Sequence, residues 1–338
     1  FLSEWQNDCP QLLVHTSGST GKPKPLWVEK QRMLNSAHIT CDFLGLKAGD
    51  TALLCMPLDY IAGKMVVVRS IERNLRLLSV TPSGHPLSDA SLAEAELPDE
   101  EITFAAMVPL QVYNSLQVPK ECERLRHIRH LIIGGGAIDD KLSAALLDFP
   151  NAVWSTYGMT ETLSHIALRR LNGPNASEWY KPFEGVTVWL NEEGCLVIDA
   201  PAVCSHPLVT NDRAEISPFT TEDNTKTPCF RILGRKDNVI DSGGIKIQIE
   251  EVEQRLKPYL TADFVITCCP DERFGEAVVL LSTQDNTNDI KALCQRHLPK
   301  FWQPRFIYYV PSLPKTGTGK PARAEIKALA HQMSKLNT

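Results

Sequence analysis

The feature that most constrains this chain is a run of nine residues near its start, which contains two glycines, four hydroxyl side chains and two lysines: Thr16, Ser17, Gly18, Ser19, Thr20, Gly21, Lys22, Pro23 and Lys24. The apolar run 12–14 before it predicts a strand that enters a turn. Glycine permits backbone conformations closed to other residues, so successive N–H groups can point into one concavity. The run predicts a phosphate-binding loop, and a flexible Ser/Gly surface loop is the alternative.

This loop differs in spacing from a Walker A phosphate loop. A Walker A motif has four residues between its first glycine and the Gly-Lys pair, with serine or threonine after the lysine. Here two residues separate Gly18 from Gly21, and Pro23 follows Lys22. Proline also argues against a helix whose N-terminus would hold the phosphate. A Walker A nucleotide site is therefore excluded.

Size and composition restrict the class of protein. A chain of 338 residues can bury a large core and suggests about two domains. Its net charge of -5 argues against a nucleic-acid partner. No apolar run approaches the roughly 20 residues of a membrane span, and the start lacks the features of a secretion signal. Its ten cysteines contain no C-x-x-C pair, which argues against disulfides or metal. We expect a soluble cytoplasmic protein with no membrane partner.

Periodicity predicts an α/β fold in the first part of the chain. Apolar runs that read as strands lie at 51–56, 77–80, 102–108, 130–133 and 152–155. Helical patterns lie between them at 29–44, 63–75 and 139–147. Strands that alternate with helices indicate an α/β sheet with its ligand at the strand C-termini.

The pattern changes after Gly185. Short alternating strands at 186–190 and 195–198 predict an antiparallel β subdomain, and the polar stretch 220–228 predicts an exposed loop. Beyond Gly234, a helix at 249–256, strands at 264–268 and 277–282 and a helix at 289–297 predict a small α+β domain.

Five further segments follow the loop in a fixed order. They are Gly134-Gly135-Gly136-Ala137, Tyr157-Gly158-Met159-Thr160-Glu161-Thr162, Asp212, the stretch from Gly234 to Glu253, and Pro314-Lys315-Thr316-Gly317-Thr318-Gly319-Lys320. Each has a plain alternative, such as a strand-to-helix turn, a charged linker or a basic tail loop. Together with the loop they resemble the motifs of the adenylate-forming (acyl-CoA synthetase) superfamily, and this resemblance covers nearly the whole chain.

The resemblance implies roles in binding ATP. The ATP/AMP-binding residues would be Thr16, Ser17, Gly18, Ser19, Thr20, Gly21, Lys22, Gly135, Gly136, Ala137, Tyr157, Gly158, Asp212 and Arg235. Tyr157 would pack on adenine, and Asp212 would bind the ribose hydroxyls, although the sequence around Asp212 departs from the usual motif. Glu161 would hold Mg²⁺, which prefers carboxylate oxygen.

The resemblance also implies catalytic and hinge residues. Thr160, Glu161 and Lys320 would be catalytic, with Lys320 reaching the α-phosphate and the substrate carboxylate. Asp237 would be the hinge between an AMP-binding and acyl-binding domain (1–234) and a mobile C-terminal domain (235–338). Gly243 and Gly244 would line the path of coenzyme A.

The chain is short for this superfamily, since only fifteen residues precede Thr16. The compact plan resembles o-succinylbenzoate–CoA ligases of menaquinone synthesis. A homodimer partner would cover the sheet edge that the missing N-terminal segment otherwise protects. Transfer of the acyl group to a carrier protein is an alternative to coenzyme A, and a nucleotide-binding module without turnover is disfavoured by the presence of Lys320 and Glu161.

The acid pocket is predicted around the segment 57–71. Tyr60 would take the place of a family aromatic beside the acyl group. The following helix is apolar on nearly every side, so the charges of Lys64 and Arg69 must face partners or a wet cavity. One of them could receive a second carboxylate on the small-molecule acid. The alternative is that Lys64 faces solvent and Arg69 pairs with a nearby acidic residue.

Overall fold

The computed structural model describes residues 1–15, 25–94, 102–136, 138, 140–220, 226–316 and 320–336. The chain begins with a short helix and an antiparallel hairpin followed by a helix: α1 (Leu2–Gln6), β1 (Gln11–His15), β2 (Pro25–Glu29) and α2 (Lys30–Leu44). The predicted phosphate loop, 16–24, lies between β1 and β2 and is outside the described residues. Helix α2 ends at Gly45, whose φ of 65° gives the left-handed conformation that closes a helix.

A seven-stranded sheet forms the body of the structure. Its strands are β3 (Thr51–Leu54), β4 (Arg76–Ser79), β5 (Phe104–Met107), β6 (His130–Ile133), β7 (Ala152–Gly158), β8 (His165–Arg170) and β9 (Lys181–Pro182). The order across the sheet is β4-β3-β5-β6-β7-β8-β9, with the first five strands parallel and the last two antiparallel. The parallel strands are short and buried, which is why they appear in the sequence as continuous apolar runs.

Helices cross between these strands. They are α3 (Ile61–Arg73), α4 (Ser91–Glu94), α5 (Pro109–Gln117), α6 (Pro119–His127) and α7 (Asp140–Leu146). Helix α3 is buried from Gly63 to Ser70, as its apolar sequence predicts. Helices α5 and α6 were not predicted from periodicity. Each begins with proline at its first position, where the missing N–H costs nothing.

The β subdomain is a four-stranded antiparallel sheet, β10 (Thr187–Leu190), β11 (Cys195–Asp199), β12 (Leu208–Thr220) and β13 (Lys226–Arg235). The prediction of a loop over 220–228 was wrong at both ends. Strand β12 continues to Thr220, and Lys226 pairs with it at the start of β13. Cross-strand pairing therefore overrides the polar composition of this stretch.

The last part of the chain is a five-stranded sheet with helices. Its elements are β14 (Val239–Ser242), β15 (Ile245–Gln248), α8 (Ile249–Leu256), β16 (Phe264–Asp271), β17 (Gly275–Ser282), α9 (Thr287–His297), β18 (Phe306–Tyr309) and α10 (Arg323–Leu336). Helix α10 and strand β18 were not predicted. Two apolar cores here contain only residues beyond 239. All ten cysteines are free thiols, and no helix in the described part of the chain is long and apolar enough to span a membrane.

Candidate active site

A cavity of about 580 Å³ opens where the parallel strands end. Its walls come from distant parts of the chain. They include six residues that were named in the sequence analysis: Tyr60, Arg69, Gly134, Gly135, Thr160 and Lys320. The C-termini of parallel strands are where α/β folds bind ligands. The structure therefore brings residues from both ends of the sequence to one site.

The segment after β7 forms one wall of this cavity. A 3₁₀ turn, Thr160–Thr162, follows Gly158 and Met159. Leu163 then adopts φ 64° and ψ -38°, and the Ser164 N–H donates to the Thr162 carbonyl at 2.7 Å, which closes a γ-turn. This sharp reversal returns the chain as β8 and places Ser164 and His165 beside Thr160 at the cavity.

Gly158 is required by this reversal. A Cβ atom at this position would lie 2.2 Å from the Ser164 carbonyl oxygen and 2.5 Å from the His165 Cα. Both atoms belong to backbone, which cannot move aside as a flexible side chain can. The glycine of the Tyr157-Gly158 pair thus serves the close approach of β7 and β8.

We expect Gly158→Ala to destabilise the fold by about 1–3 kcal/mol, because the new methyl group forces apart two backbone segments. Thermal unfolding of the variant measures this effect. Gly136→Ala is the matched control, since its Cβ would lie 3.5 Å from the Pro109 ring, an ordinary contact. Equal melting temperatures for the two variants would contradict the close-approach explanation.

On the β-subdomain side, a chain of polar contacts links the predicted nucleotide residues. The Tyr157 hydroxyl donates to Asp212 at 2.6 Å. Asp212 and Arg235 face each other across β12 and β13 and form an ion pair at 3.3 Å. Arg235 also donates two hydrogen bonds of 2.9 Å to Asp237. Burial and the Asp212 charge raise the pKa of the Tyr157 hydroxyl, so it remains a proton donor.

Lys320 enters the cavity from the C-terminal part of the chain. The Thr316 N–H donates to the Lys320 carbonyl at 2.7 Å, and residues 317–319 are outside the described residues. Burial and the Arg235 charge lower the pKa of the Lys320 amino group, while the Asp212 charge opposes this shift. The amino group thus lies in the electrostatic field of the Asp212–Arg235 pair and is only partly hydrated, which strengthens its interaction with an anion.

Arg69 is the most unusual side chain of the site. It is 2% exposed and lines the cavity from the middle of α3. Its Nη2 donates to the Ser164 hydroxyl at 2.6 Å and lies 3.5 Å from Thr40 Oγ1, while its Nε has no hydrogen-bond partner within the described residues. No carboxylate among those residues pairs with it. Burial lowers the pKa of Arg69 to about 10, so the side chain remains charged at neutral pH.

Other predicted residues lie farther from this cluster. Lys64 is buried, but its amino group donates to the Asp59 carbonyl at 3.4 Å, and it is not among the described residues that line the cavity. The structure therefore does not support either a solvent-facing Lys64 or an acid-paired Arg69. Gly243 and Gly244 form the turn between β14 and β15 with φ of 60° and 83°. Some predicted nucleotide residues lie outside the described residues: Thr16, Ser17, Gly18, Ser19, Thr20, Gly21, Lys22 and Ala137.

Three polar residues of the site were missed at the sequence level: Thr40, Ser164 and His165. Thr40 is wholly buried in α2, and His165 is 7% exposed at the start of β8. The available signal was a histidine inside the apolar run that follows the Tyr157 motif. That signal identifies a residue of the site only when the packing of α2, α3 and β8 is known.

Comparison with known proteins agrees with this geometry. Residues 2–200 match the model of the AMP-binding enzyme family, and residues 249–320 match that of the AMP-binding enzyme C-terminal domain. The chain belongs to the AMP-binding enzyme family. The predicted superfamily is therefore confirmed, as is the α/β fold with its β subdomain and C-terminal α+β part.

The sequence identity between this AMP-binding enzyme and its individual relatives is low. A 2-succinylbenzoate–CoA ligase of Bacillus cereus is 25% identical over 348 residues, covering 95% of this chain and 70% of that relative. The crystal structure of an acyl-CoA synthetase (AMP-forming)/AMP-acid ligase II-like protein from Dyadobacter fermentans is 32% identical, with a TM-score of 0.61, and the match covers 96% of this chain and 91% of that one. The o-succinylbenzoate coenzyme A synthetase of Bacillus subtilis, solved with ATP and magnesium, matches with a TM-score of 0.72 at 21% identity, over 93% of this chain and 69% of that one.

Proposed function

We propose that this AMP-binding enzyme is an ATP-dependent acid–CoA ligase that activates an aromatic dicarboxylic acid such as o-succinylbenzoate. The observation that carries the proposal is the buried, charged Arg69 in the cavity that also holds Thr160 and Lys320. A buried charge without an ionic partner is costly, and it is stabilised when a ligand supplies the opposite charge. The names of the Bacillus relatives support the same acid.

In this proposal, the cavity binds the two carboxylates of the substrate with different residues. Lys320 and Thr160 serve the carboxylate that reacts, whereas Arg69 holds the carboxylate that does not. Guanidinium is a charged donor, and its hydrogen bonds to a carboxylate are shorter and stronger than those between neutral groups. Tyr60 and the apolar residues near it, among them Met56 and Ile61, also line the cavity and suit an aromatic ring.

The first half-reaction needs no general base, because a carboxylic acid with a pKa near 4 is already ionised at pH 7. A carboxylate oxygen attacks the α-phosphorus of ATP, the bond to the bridging oxygen of pyrophosphate breaks, and pyrophosphate leaves with the bonding electrons. The products are acyl-adenylate and pyrophosphate. Lys320 provides a fixed positive charge where negative charge develops on the α-phosphate oxygens.

Glu161 is suited to bind the magnesium ion that accompanies ATP. It is exposed beside Thr160, and no hydrogen bond or ion pair occupies its carboxylate within the described residues. No cluster of three metal-binding side chains is found in that part of the chain. This donor set fits Mg²⁺, which takes one or two protein carboxylates and completes its shell with phosphate oxygens and water. When bound, the ion would neutralise phosphate charge.

In the second half-reaction, the thiol of coenzyme A loses its proton to solvent and the thiolate attacks the acyl carbonyl carbon; the bond from that carbon to the AMP oxygen breaks, and AMP leaves with the bonding electrons. Lys320 occupies the cavity in the present arrangement, so the thiol needs another way in. We place the domain boundary between 234 and 235 and assign the hinge to Asp237, which lies in a single 3₁₀ turn between β13 and β14. Rotation there would replace Lys320 by Gly243 and Gly244, whose small size admits a narrow thiol-bearing arm.

Asp237→Pro is expected to retain adenylate formation and to lose most of the CoA transfer, because proline fixes φ near -65° at the hinge. Pyrophosphate release and acyl-CoA formation, measured separately, test this prediction. Asp237→Ala is the control, since it removes the contacts with Arg235 without fixing the backbone. Normal overall turnover by the proline variant would reject Asp237 as the hinge.

The proposed function is tested by ATP–pyrophosphate exchange with a panel of acids, followed by detection of the CoA thioester. The panel contains o-succinylbenzoate, the two analogues that each lack one of its carboxylates, and a plain fatty acid. We expect exchange to be fastest with the dicarboxylate and to require added acid. If the fatty acid is the better substrate, the dicarboxylate assignment is wrong. An adenylate that CoA does not accept would instead favour a carrier protein as acceptor.

A further inference from the structure

Arg69 belongs to a closed cluster of four polar side chains from three elements, of which three are buried and Ser164 is half-buried. Thr40 comes from α2, Arg69 from α3, and Ser164 and His165 from the turn into β8. Arg69 contacts Ser164 at 2.6 Å and Thr40 at 3.5 Å, and His165 contacts the same two hydroxyls at 3.2 Å and 3.1 Å. The four side chains thus form a ring in which Arg69 and His165 face each other across two hydroxyl groups.

The direction of each hydrogen bond in this ring follows from counting donors. The Thr40 hydroxyl donates its one hydrogen to the Ser36 carbonyl at 3.0 Å, so its oxygen can only accept from His165 Nε2 and from Arg69. Nε2 of His165 must therefore carry a proton. Neutral imidazole has one N–H, which leaves Nδ1 as an acceptor for the Ser164 hydroxyl. The Ser164 oxygen is then free to accept from Arg69.

The ring is consistent only with a neutral histidine. If both ring nitrogens carried protons, Ser164 would have no acceptor, and a second positive charge would face Arg69. Burial and the Arg69 charge lower the pKa of His165 well below its usual value, in agreement with this arrangement. The ring binds only Nη2 of Arg69, and no hydrogen bond of Nε or Nη1 is found within the described residues.

We propose that His165 is a positioning residue, which orients Ser164 and Thr40 so that they hold one corner of Arg69 and present the rest of its guanidinium to a second carboxylate of the substrate. This inference rests on the proposed function for its substrate class. It assigns discrimination between dicarboxylic and monocarboxylic acids to His165, which does not itself contact the reacting atoms. Ser164 transmits the effect, because it is the only member of the ring that both donates to His165 and accepts from Arg69.

His165→Asn and His165→Phe separate the hydrogen bond from the volume of the ring. Asparagine keeps an acceptor near the place of Nδ1, whereas phenylalanine fills the space and offers none. We expect His165→Phe to raise KM for o-succinylbenzoate about tenfold or more, since the half-buried Ser164 hydroxyl loses the acceptor that orients it toward Arg69. His165→Asn should stay within about threefold of the wild type. With an analogue that lacks one carboxylate and is still adenylated, both variants should match the wild type, and KM for ATP should not change.

A second readout does not depend on activity. Nitrogen-15 NMR of the imidazole in the wild-type protein should show His165 neutral with its proton on Nε2 at pH 6. A protonated ring, or a proton on Nδ1, would overturn the proposal. So would an unchanged KM for the dicarboxylate in His165→Phe, or equal losses on both kinds of acid. If the wild-type enzyme does not prefer a dicarboxylate, the proposed function fails, while the NMR result still decides whether the hydrogen-bond ring exists.

Discussion

Lys320→Ala is expected to reduce adenylate formation by about 100- to 1,000-fold, the range seen when a preorganised charge-stabilising group is removed. The reason is that Lys320 lies in the cavity with Thr160, where negative charge develops during attack on the α-phosphate. Formation of the thioester from supplied acyl-adenylate and coenzyme A should be largely preserved, since that step releases AMP and does not build charge at the lysine. The two half-reactions are measured separately, by pyrophosphate release and by thioester formation.

Lys315→Ala is the matched control for this experiment. Lys315 lies five residues earlier in the sequence, but it is exposed and pairs with Asp263 at 2.9 Å. Its loss removes one positive charge from the segment without touching the cavity, so both half-reactions should remain near wild-type rates. A Lys320→Ala variant that loses both half-reactions equally would exclude the assigned role.

Arg69→Met is expected to lower kcat/KM for the dicarboxylic acid by at least about 30-fold, since removing one partner of a buried, hydrogen-bonded charge pair costs about 2–5 kcal/mol. The free enzyme should respond in the opposite way. Because Arg69 is buried and has no carboxylate partner among the described residues, replacing it with an apolar side chain of similar length should leave the melting temperature unchanged or raise it. Steady-state kinetics and thermal unfolding of one preparation measure both effects.

Arg73→Met, one turn further along α3, is the control, and we expect it to have the opposite effects on kinetics and stability. Arg73 pairs with Asp42 at 2.6 Å and with Glu72 at 3.3 Å, away from the cavity. Its removal should lower stability and leave the kinetics of the acid unchanged. If Arg69→Met is strongly destabilising and Arg73→Met is not, Arg69 serves the fold and the proposed substrate contact is wrong.

The parts of the fold that could be predicted from the sequence are those in which burial alone sets the pattern. The parallel strands are short apolar runs, and α3 is apolar on most sides, so both were found to within a few residues. Helices α5, α6 and α10 were missed because their amphipathic patterns are short or mixed with charge, and proline marks the start of two of them. The hairpin of β12 and β13 extends into polar sequence because its backbone pairing continues to Thr220 and Lys226.

The site shows a similar division. Motifs that combine glycine with a polar residue, such as Tyr157-Gly158 and Gly134-Gly135, could be recognised because the backbone itself must approach a neighbour or a ligand. The hydrogen-bond partners of Arg69 could not be recognised from the sequence. Thr40 lies 29 residues before it and Ser164 95 residues after it, and each is an ordinary residue for its element. Only the packing of α2, α3 and β8 gives these residues a shared function.

The most direct test of the account is the crystal structure of the enzyme with a non-hydrolysable adenylate of o-succinylbenzoate. We expect the free carboxylate to accept hydrogen bonds from Arg69, with Ser164 and His165 in their present positions, and the Lys320 amino group to contact the phosphate or its substitute. A free carboxylate that points to solvent, with Arg69 still unpaired behind it, would contradict the account.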